Sequence, residues 1–351
     1  MSTRAKIPLS DFITLQRGFD LPTARRKEGN VPVIASTGIA GYHNEAKVKG
    51  PGVVIGRSGS IGGGQYAAND FWPLNTTLWV KDFKGNNPRF TYYLLKGIDF
   101  TRFNAGAGVP TLNRNHIDNL CVSNFIPAEQ ARIASILSAY DDLIENNRRR
   151  IQLLEESARL LYREWFVHLR FPGHEDVKII DGVPEGWGES TLGDNIVLNY
   201  GKALKADDRI EGKYPVYGSS GFVGTHKKLL VKGPGIIVGR KGNVGSVFWS
   251  SKDFHPIDTV YYIDTESSDY YLYNALHYMQ FVSSDAAVPG LNRNYAYSRP
   301  YLLPPETIRS HFENTVTPIY GQIFKLNDYN EKLKQARDLL LPRLMNWEVA
   351  V

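Results

Sequence analysis

The 351-residue chain is poor in the residue types on which several kinds of chemistry depend. Its one cysteine, Cys121, excludes an internal disulfide, and a cytoplasmic setting is the simple expectation. That cysteine and eight dispersed histidines match no zinc-ligand spacing. No apolar run approaches a membrane span, and Met1-Ser2-Thr3-Arg4 leads into no signal-peptide core. The Gly-rich stretch Gly56-Arg57-Ser58-Gly59-Ser60-Ile61-Gly62 is neither a phosphate loop ending in Gly-Lys-Ser/Thr nor a dinucleotide fingerprint. Phe103-Asn104-Ala105-Gly106-Ala107-Gly108 faintly resembles an adenosyl-methionine loop, but no Asn-Pro-Pro-aromatic motif accompanies it to hold a flipped adenine. No nucleophile or acid–base constellation stands out. The expectation is a binding protein with no cofactor and no metal of its own.

What is present is a duplication. Pro51-Gly52-Val53-Val54-Ile55-Gly56-Arg57-Ser58-Gly59-Ser60-Ile61-Gly62 returns as Pro234-Gly235-Ile236-Ile237-Val238-Gly239-Arg240-Lys241-Gly242-Asn243-Val244-Gly245, displaced by 183 positions. Solenoid repeats run to about 20–50 residues, so the repeated object here is a whole domain. Leu9, Asp11 and Gly18 match Leu192, Asp194 and Gly201 at the same offset, as do Gly41 and His43 with Gly224 and His226. Asp70-Phe71, Pro73 and Thr76 match Asp253-Phe254, Pro256 and Thr259. Val109-Pro110 and Leu112-Asn113-Arg114-Asn115 return at offset 179 as Val288-Pro289 and Leu291-Asn292-Arg293-Asn294. The glycines of the Phe103–Gly108 stretch are missing from Val282-Ser283-Ser284-Asp285-Ala286-Ala287, which weakens any cofactor reading.

Charge is uneven. The net charge is +5, and residues 1–126 hold 15 Lys/Arg against 8 Asp/Glu, whereas residues 167–303 hold 14 against 15. A basic module suits phosphate contact, although a mildly basic domain can also be merely soluble.

Residues 127–166 predict a long helix opened by Pro127 and Glu129. Ile133, Leu137, Tyr140, Ile144, Asn147, Ile151, Leu154, Ala158, Leu161 and Trp165 alternate spacings of 4 and 3, which specifies a coiled-coil seam. A second helix over 304–351 carries Phe312, Val316, Ile319, Ile323, Leu326, Asn330, Leu333, Leu340 and Leu344 in that register, with Arg337 in the gap. Pro318 and Pro342 predict a kink or late start and a fraying tail. Asn147 pairs with Asn327 at offset 180, and each seam carries one polar register residue, Asn147 and Asn330. The economical solution is that the two helices pack antiparallel on each other.

The fold class expected is α+β: two similar mixed domains, 1–126 and 167–303, separated by two long antiparallel coiled-coil helices, 127–166 and 304–351. Val53-Val54-Ile55, Thr77–Val80, Ile236-Ile237-Val238 and Val260–Ile263 read as strands of a mostly antiparallel sheet, and 87–95 and 270–276 as helices.

For binding, a strand followed by Gly-Arg-x-Gly brings backbone and an arginine to a ligand. Arg57 and Arg240 suit a phosphate or a guanine edge. The residues between them differ, Ser58 and Ser60 against Lys241 and Asn243, as expected of side chains reading two different sequences. His43 and His226 are donors to phosphate or base, or structural turn histidines. Arg25, Arg26, Lys27, Lys202 and Lys205 complete the basic candidates. The bland alternative is that the arginines pair with Asp70 and Asp253 while the glycines simply turn the chain.

This architecture resembles the specificity subunits of type I restriction-modification systems over nearly the whole chain. Pro127-Ala128-Glu129-Gln130-Ala131-Arg132-Ile133, Pro304-Pro305-Glu306, Gly186-Trp187, Thr191-Leu192-Gly193-Asp194 and Leu339-Leu340-Leu341-Pro342-Arg343-Leu344 carry the likeness. Glu306-Thr307-Ile308-Arg309 departs from the wording of the first helix. The resemblance implies a non-catalytic subunit whose two target-recognition domains read the halves of a split, asymmetric site in double-stranded DNA. It implies that the helices set the spacer and dock two methyltransferase subunits, which hold the S-adenosylmethionine, and that motor-nuclease restriction subunits join in some systems. Two other readings stand beside it. One is a metal-dependent nuclease built on Glu45, Lys47 and Asp20, although Lys228 and Leu230 replace the first two in the second copy; the other is a coiled-coil protein scaffold.

Overall fold

Val53-Val54-Ile55 and Ile236-Ile237-Val238 are buried on both faces, which is why they read as unbroken β-branched runs and not as alternating strands. Each is an inner strand of a four-stranded antiparallel sheet. The structure is a computed structural model that describes residues 5–281 and 290–349. The second-copy stretch Val282–Ala287 and the repeated Val288-Pro289 therefore lie outside the described residues.

The chain divides into two compact units, Met1–Asn147 with Tyr329–Val351, and Arg148–Asp328. Compactness thus cuts the chain within the long helices and not at their ends. In the first unit the larger sheet runs Thr14–Arg17, Thr77–Asp82, Gly52–Gly56, Gly62–Ala67 in spatial order. A three-stranded sheet of Gly38–His43, Val31–Ala35 and Trp72–Pro73 follows, its second pairing parallel. The second unit repeats both orders: Asn199–Tyr200, Val260–Ile263, Gly235–Gly239, Val247–Ser250, and then Gly221–His226, Tyr214–Gly218, His255–Pro256. A two-stranded ribbon closes each unit, with Ile7 opposite Val122 in one and Ser190 opposite Tyr301 in the other.

One helix covers the core of each sheet. Pro88–Lys96 starts at Asn87, whose side chain accepts from Phe90 N–H at 3.0 Å, and Tyr270–Met279 starts at Asp269, which accepts from Leu272 N–H at 2.8 Å. The long helices hold these N-termini. Gln130 accepts from Asn87 N–H at 2.8 Å and donates to Asn86 Oδ1 and the Phe125 carbonyl. Arg309, which stands 179 positions later, donates to Asp269 instead, and Glu313 accepts from Tyr271 and Tyr270 N–H at 2.6 and 3.2 Å.

The first long helix, Pro127–Tyr162, opens with Glu129 reaching back to Ile126 N–H at 3.1 Å and ends in a π turn over Arg163–Val167. The second, Glu306–Met345, does not start late and runs through both prolines. Pro318 and Asn314, whose carbonyl loses its i+4 donor there, are both exposed, while Phe312, Val316, Tyr320 and Ile323 stay buried around them. Of the seam residues, Ile133, Leu137, Ile144, Asn147, Ile323, Leu326 and Asn330 are buried, and Tyr140, Ile151, Leu154, Ile319 and Leu333 are half-buried. Beyond Ala158 the buried stripe drifts to Tyr162, Trp165 and Phe166. In the first unit the helices run antiparallel: Phe125 stacks on Trp347 at 4.2 Å, Asp141 meets Arg337, and Asn147 meets Asn330. Burial repeats along the helices at 179, with Ile133 and Leu137 answering to Phe312 and Val316, and Tyr162 and Trp165 to Leu341 and Leu344. Asn147 therefore corresponds to Leu326 and not to the exposed Asn327.

The two cores differ in substance. That of the first unit centres on Phe12, Phe90 and Phe125 with Leu341 and Leu344. That of the second is an aromatic cluster in which Tyr162, Phe166, Tyr271 and Phe312 lie 4.7–6.1 Å apart in edge or tilted pairs. Each such pair adds about 0.5–1.5 kcal/mol beyond its buried area. Among the described residues no helix is long and apolar enough to cross a membrane.

Candidate nucleic-acid interface

The Gly-Arg turn is shaped by its glycines. A Cβ on Gly56 would meet the Ser60 carbonyl at 1.9 Å and one on Gly239 the Asn243 carbonyl at 2.1 Å, while Gly59 and Gly242 both adopt φ +81°. The turn is pinned from below: Arg57 and Ser58 N–H donate to the Thr76 carbonyl at 2.8 and 3.1 Å, and Arg240 and Lys241 N–H to the Thr259 carbonyl at 2.9 and 3.0 Å. It is pinned from above by the second repeated motif. Leu112 N–H donates to the Arg57 carbonyl at 2.7 Å, and Leu291 N–H to the Arg240 carbonyl at 2.8 Å. Asn113 and Asn292 then cap the short helices Arg114–Ile117 and Arg293–Tyr297, which places Arg114 and Arg293 at their first positions.

In the first unit this brings Arg57 and Arg114 to one open cleft of about 660 Å³, where Arg17 from the end of the first sheet strand joins them. Arg57 is steered by the Asn75 carbonyl at 3.5 Å and Arg114 by the Leu15 carbonyl at 3.4 Å. Asp20 lines the same cleft and accepts from the Asn75 carboxamide. In the second unit Tyr200 stands in the place of Arg17. The Arg240 and Arg293 guanidiniums lie 5.2 and 5.3 Å from the centre of its ring, and Arg240 also donates to the Asp258 carbonyl at 2.9 Å. Burial, ahead of a hydrogen bond with Tyr200, pushes the adjacent Tyr261 phenol up, so it remains a donor, to the Leu291 carbonyl at 3.1 Å. Among the described residues, the partners of these four guanidiniums are carbonyl oxygens and aromatic rings, not carboxylates.

The family model for the type I restriction modification DNA specificity domain matches residues 1–156 and 184–293, one match for each copy of this frame. The chain belongs to that family. The type I restriction enzyme MjaIX specificity subunit of Methanocaldococcus jannaschii is 26% identical over 320 residues, covering 80% of this chain and 74% of its own. A putative type I specificity subunit of Mycoplasma pneumoniae is 30% identical over 176 residues, 48% of this chain and 45% of that one. The crystal structure of the S subunit of a type I system from M. genitalium shares the fold, with a TM-score of 0.60 at 19% identity over 97% of this chain and 95% of that one.

Within this specificity fold the remaining candidates separate into two groups. His43 and His226 are only 5% and 7% exposed, and each Nδ1 accepts a backbone N–H, from Lys27 at 3.0 Å and from Ile210 at 3.1 Å. Both rings hold a loop onto a hairpin, which is the structural role of a turn histidine. Arg26 does similar work: its Nη1 donates to the Ala40 carbonyl at 2.6 Å, and Arg209 donates to the Val223 carbonyl in the second copy. Arg25, Lys27, Ser60, Lys202, Lys205, Lys241 and Asn243 are exposed, and Ser58 is half-buried. Arg57 and Arg240 do not pair with Asp70 and Asp253, which instead accept from Gly50 and Gly233 N–H at 2.9 and 3.0 Å. Of the nuclease alternative, Lys47 lies 5.3 Å over the Trp72 ring, and Asp20 is taken up by Asn75. Sequence reasoning missed Arg17, Arg114, Tyr200 and Arg293; the repeated Leu-Asn-Arg-Asn was the signal for two of them.

Proposed function

We propose that this specificity chain is the non-catalytic DNA-reading subunit of a type I restriction-modification complex, each unit reading one half of a split, asymmetric duplex site. The observation that carries the reading is one arginine-bearing frame built twice, with different side chains set between the shared ones. Shared residues position the duplex and differing ones supply the sequence. The boundaries that go with this reading are target-recognition domains at 1–126 and 167–303 and spacer helices at 127–166 and 304–351.

Two methyltransferase subunits dock on the long helices and hold the S-adenosylmethionine; restriction subunits join where the system has them. Leu153 and Leu339, both 68% exposed, and Leu143 and Leu160 give the outer helix faces apolar surface in support of such docking. Site-resolved adenine methylation in cells with and without this gene tests the reading. A split asymmetric motif that vanishes when this chain alone is deleted is the expected result. Unchanged methylation would overturn it.

A further inference from the structure

In each unit the two arginines that the copies share, Arg57 with Arg114 and Arg240 with Arg293, are held by the same backbone bonds on the same frame. If the two units read different half-sites, a contact made by identical side chains on identical frames cannot carry the difference. It has to be made to something both halves possess. Every duplex step possesses a phosphate, and the guanidinium fork matches phosphate oxygens in geometry and charge. The local electrostatics favour an anion here. In the second unit two like charges share the ring of Tyr200, and in the first Arg17 adds a third charge beside Arg57 and Arg114, with Asp20 on the cleft wall. Like charges brought together stay mutually repelling until an anion arrives, and the one carboxylate named in the first cleft, Asp20, is engaged by the Asn75 carboxamide and leaves three cations in excess of it. The rings and carbonyls that hold the four arginines fix their direction without neutralising them.

We propose that Arg57 with Arg114, and Arg240 with Arg293, each clamp one DNA backbone phosphate, setting the register of the duplex on each unit without reading a base. This rests on the DNA-recognition reading above. The residue between the arginines, Arg17 or Tyr200, then tunes the clamp, by added charge in one unit and by a fixed stacking platform in the other.

The test uses the full chain and a mixed-sequence duplex of about 30 base pairs, with binding followed against salt. Arg57→Gln with Arg114→Gln, and Arg240→Gln with Arg293→Gln, should each flatten the slope of log K against log salt by about 0.9, one phosphate per pair, and the single variants by less. Each should weaken cognate and mixed-sequence duplexes by the same factor and leave the methylated motif unchanged in cells. Arg57→Lys should keep the slope, which separates loss of the contact from loss of the fold. A variant that degenerates one base pair of the motif with its slope intact would mean base reading and would overturn the clamp. So would variants that change neither slope nor affinity. A wild-type chain with no salt-dependent duplex binding would instead remove the DNA reading itself.

Discussion

The Nδ2 of Asn147 donates to Oδ1 of Asn330 across 3.0 Å, with both carboxamides buried between the long helices of the first unit. The positions that answer to them in the second unit, 179 residues away, are Leu326 and Ile151, so the polar positions of one unit are apolar in the other. Asn147→Leu alone leaves the Asn330 carboxamide buried without this partner and should cost about 1–3 kcal/mol. Asn147→Leu with Asn330→Ile should recover most of that loss, because both polar groups go together. A double-mutant cycle by urea denaturation measures the coupling; additive losses would show that the hydrogen bond contributes nothing.

Asp141 ties three segments of the first unit together, accepting from the Tyr93 hydroxyl and from Arg337, whose side chain is 12% exposed. Burial and then Asp141 raise the Tyr93 phenol well above its ordinary range, so it remains a donor throughout the usable pH range. Asp141→Ala should destabilise by about 1–3 kcal/mol, since the Tyr93 hydroxyl loses its acceptor while Arg337 keeps Asp338 at 2.8 Å. Asp142→Ala, one residue away and paired with Arg89 at the surface, should cost less than about 1 kcal/mol. Equal midpoints for the two variants in chemical denaturation would contradict this account.

Two half-buried groups of the second unit respond to pH in opposite senses. Burial, then Asp269, pushes the Glu313 carboxyl up from 4.5 to about 7, so folding retains a proton that the unfolded chain releases. Its contribution falls as pH rises through that window. Burial, then Arg159, holds His277 down from 6.5 to about 4, so folding refuses a proton that the unfolded chain takes up. Its contribution falls as pH drops through that window. The two oppose each other between pH 4.5 and 6.5. Glu313→Gln should therefore be more stable than wild type at pH 8 by about 1–3 kcal/mol and newly sensitive to acid below pH 6.5. Thermal melts across pH decide it; parallel wild-type and variant curves would rule out the assignment.

Exchange at the variable position of the clefts separates charge from stacking. Arg17→Ala should weaken duplex binding and flatten the salt slope by less than the roughly 0.9 of a whole phosphate. Tyr200→Ala should weaken binding about two- to tenfold with the slope kept, because the platform under Arg240 and Arg293 is lost while both charges stay. Tyr200→Phe should be close to wild type. Fluorescence anisotropy at three salt concentrations is enough to see the difference.

The strands were legible because both faces of Ile236-Ile237-Val238 are buried, and the seam because Ile133, Leu137 and Ile144 recur at helical spacing. What stayed hidden were contacts between distant segments. Gln130 against Asn87 and Arg309 against Asp269 occupy one corner of the fold with different chemistry, and nothing local to either residue announces it.

Comparing copies for identity also has a bias. It singled out His43 and His226, which are alike because both hold a loop in place. It passed over Arg17 and Tyr200, which share a place in the fold and no chemistry. Arg114 was visible inside a repeated motif, but only the bond from Leu112 to the Arg57 carbonyl carries it to the cleft.

The second unit is one uninterrupted stretch, Arg148–Asp328, whereas the first needs residues from Tyr329 onward: Leu341 and Leu344 fill its core, and Trp347 covers Phe125. On the ribosome, the half that emerges first is therefore the half that closes last. It has to wait, without Leu341, Leu344 and Trp347, while the later half is synthesised and has its whole core in hand. A chain cut short after Asp328 should therefore lack the residues that complete its first half.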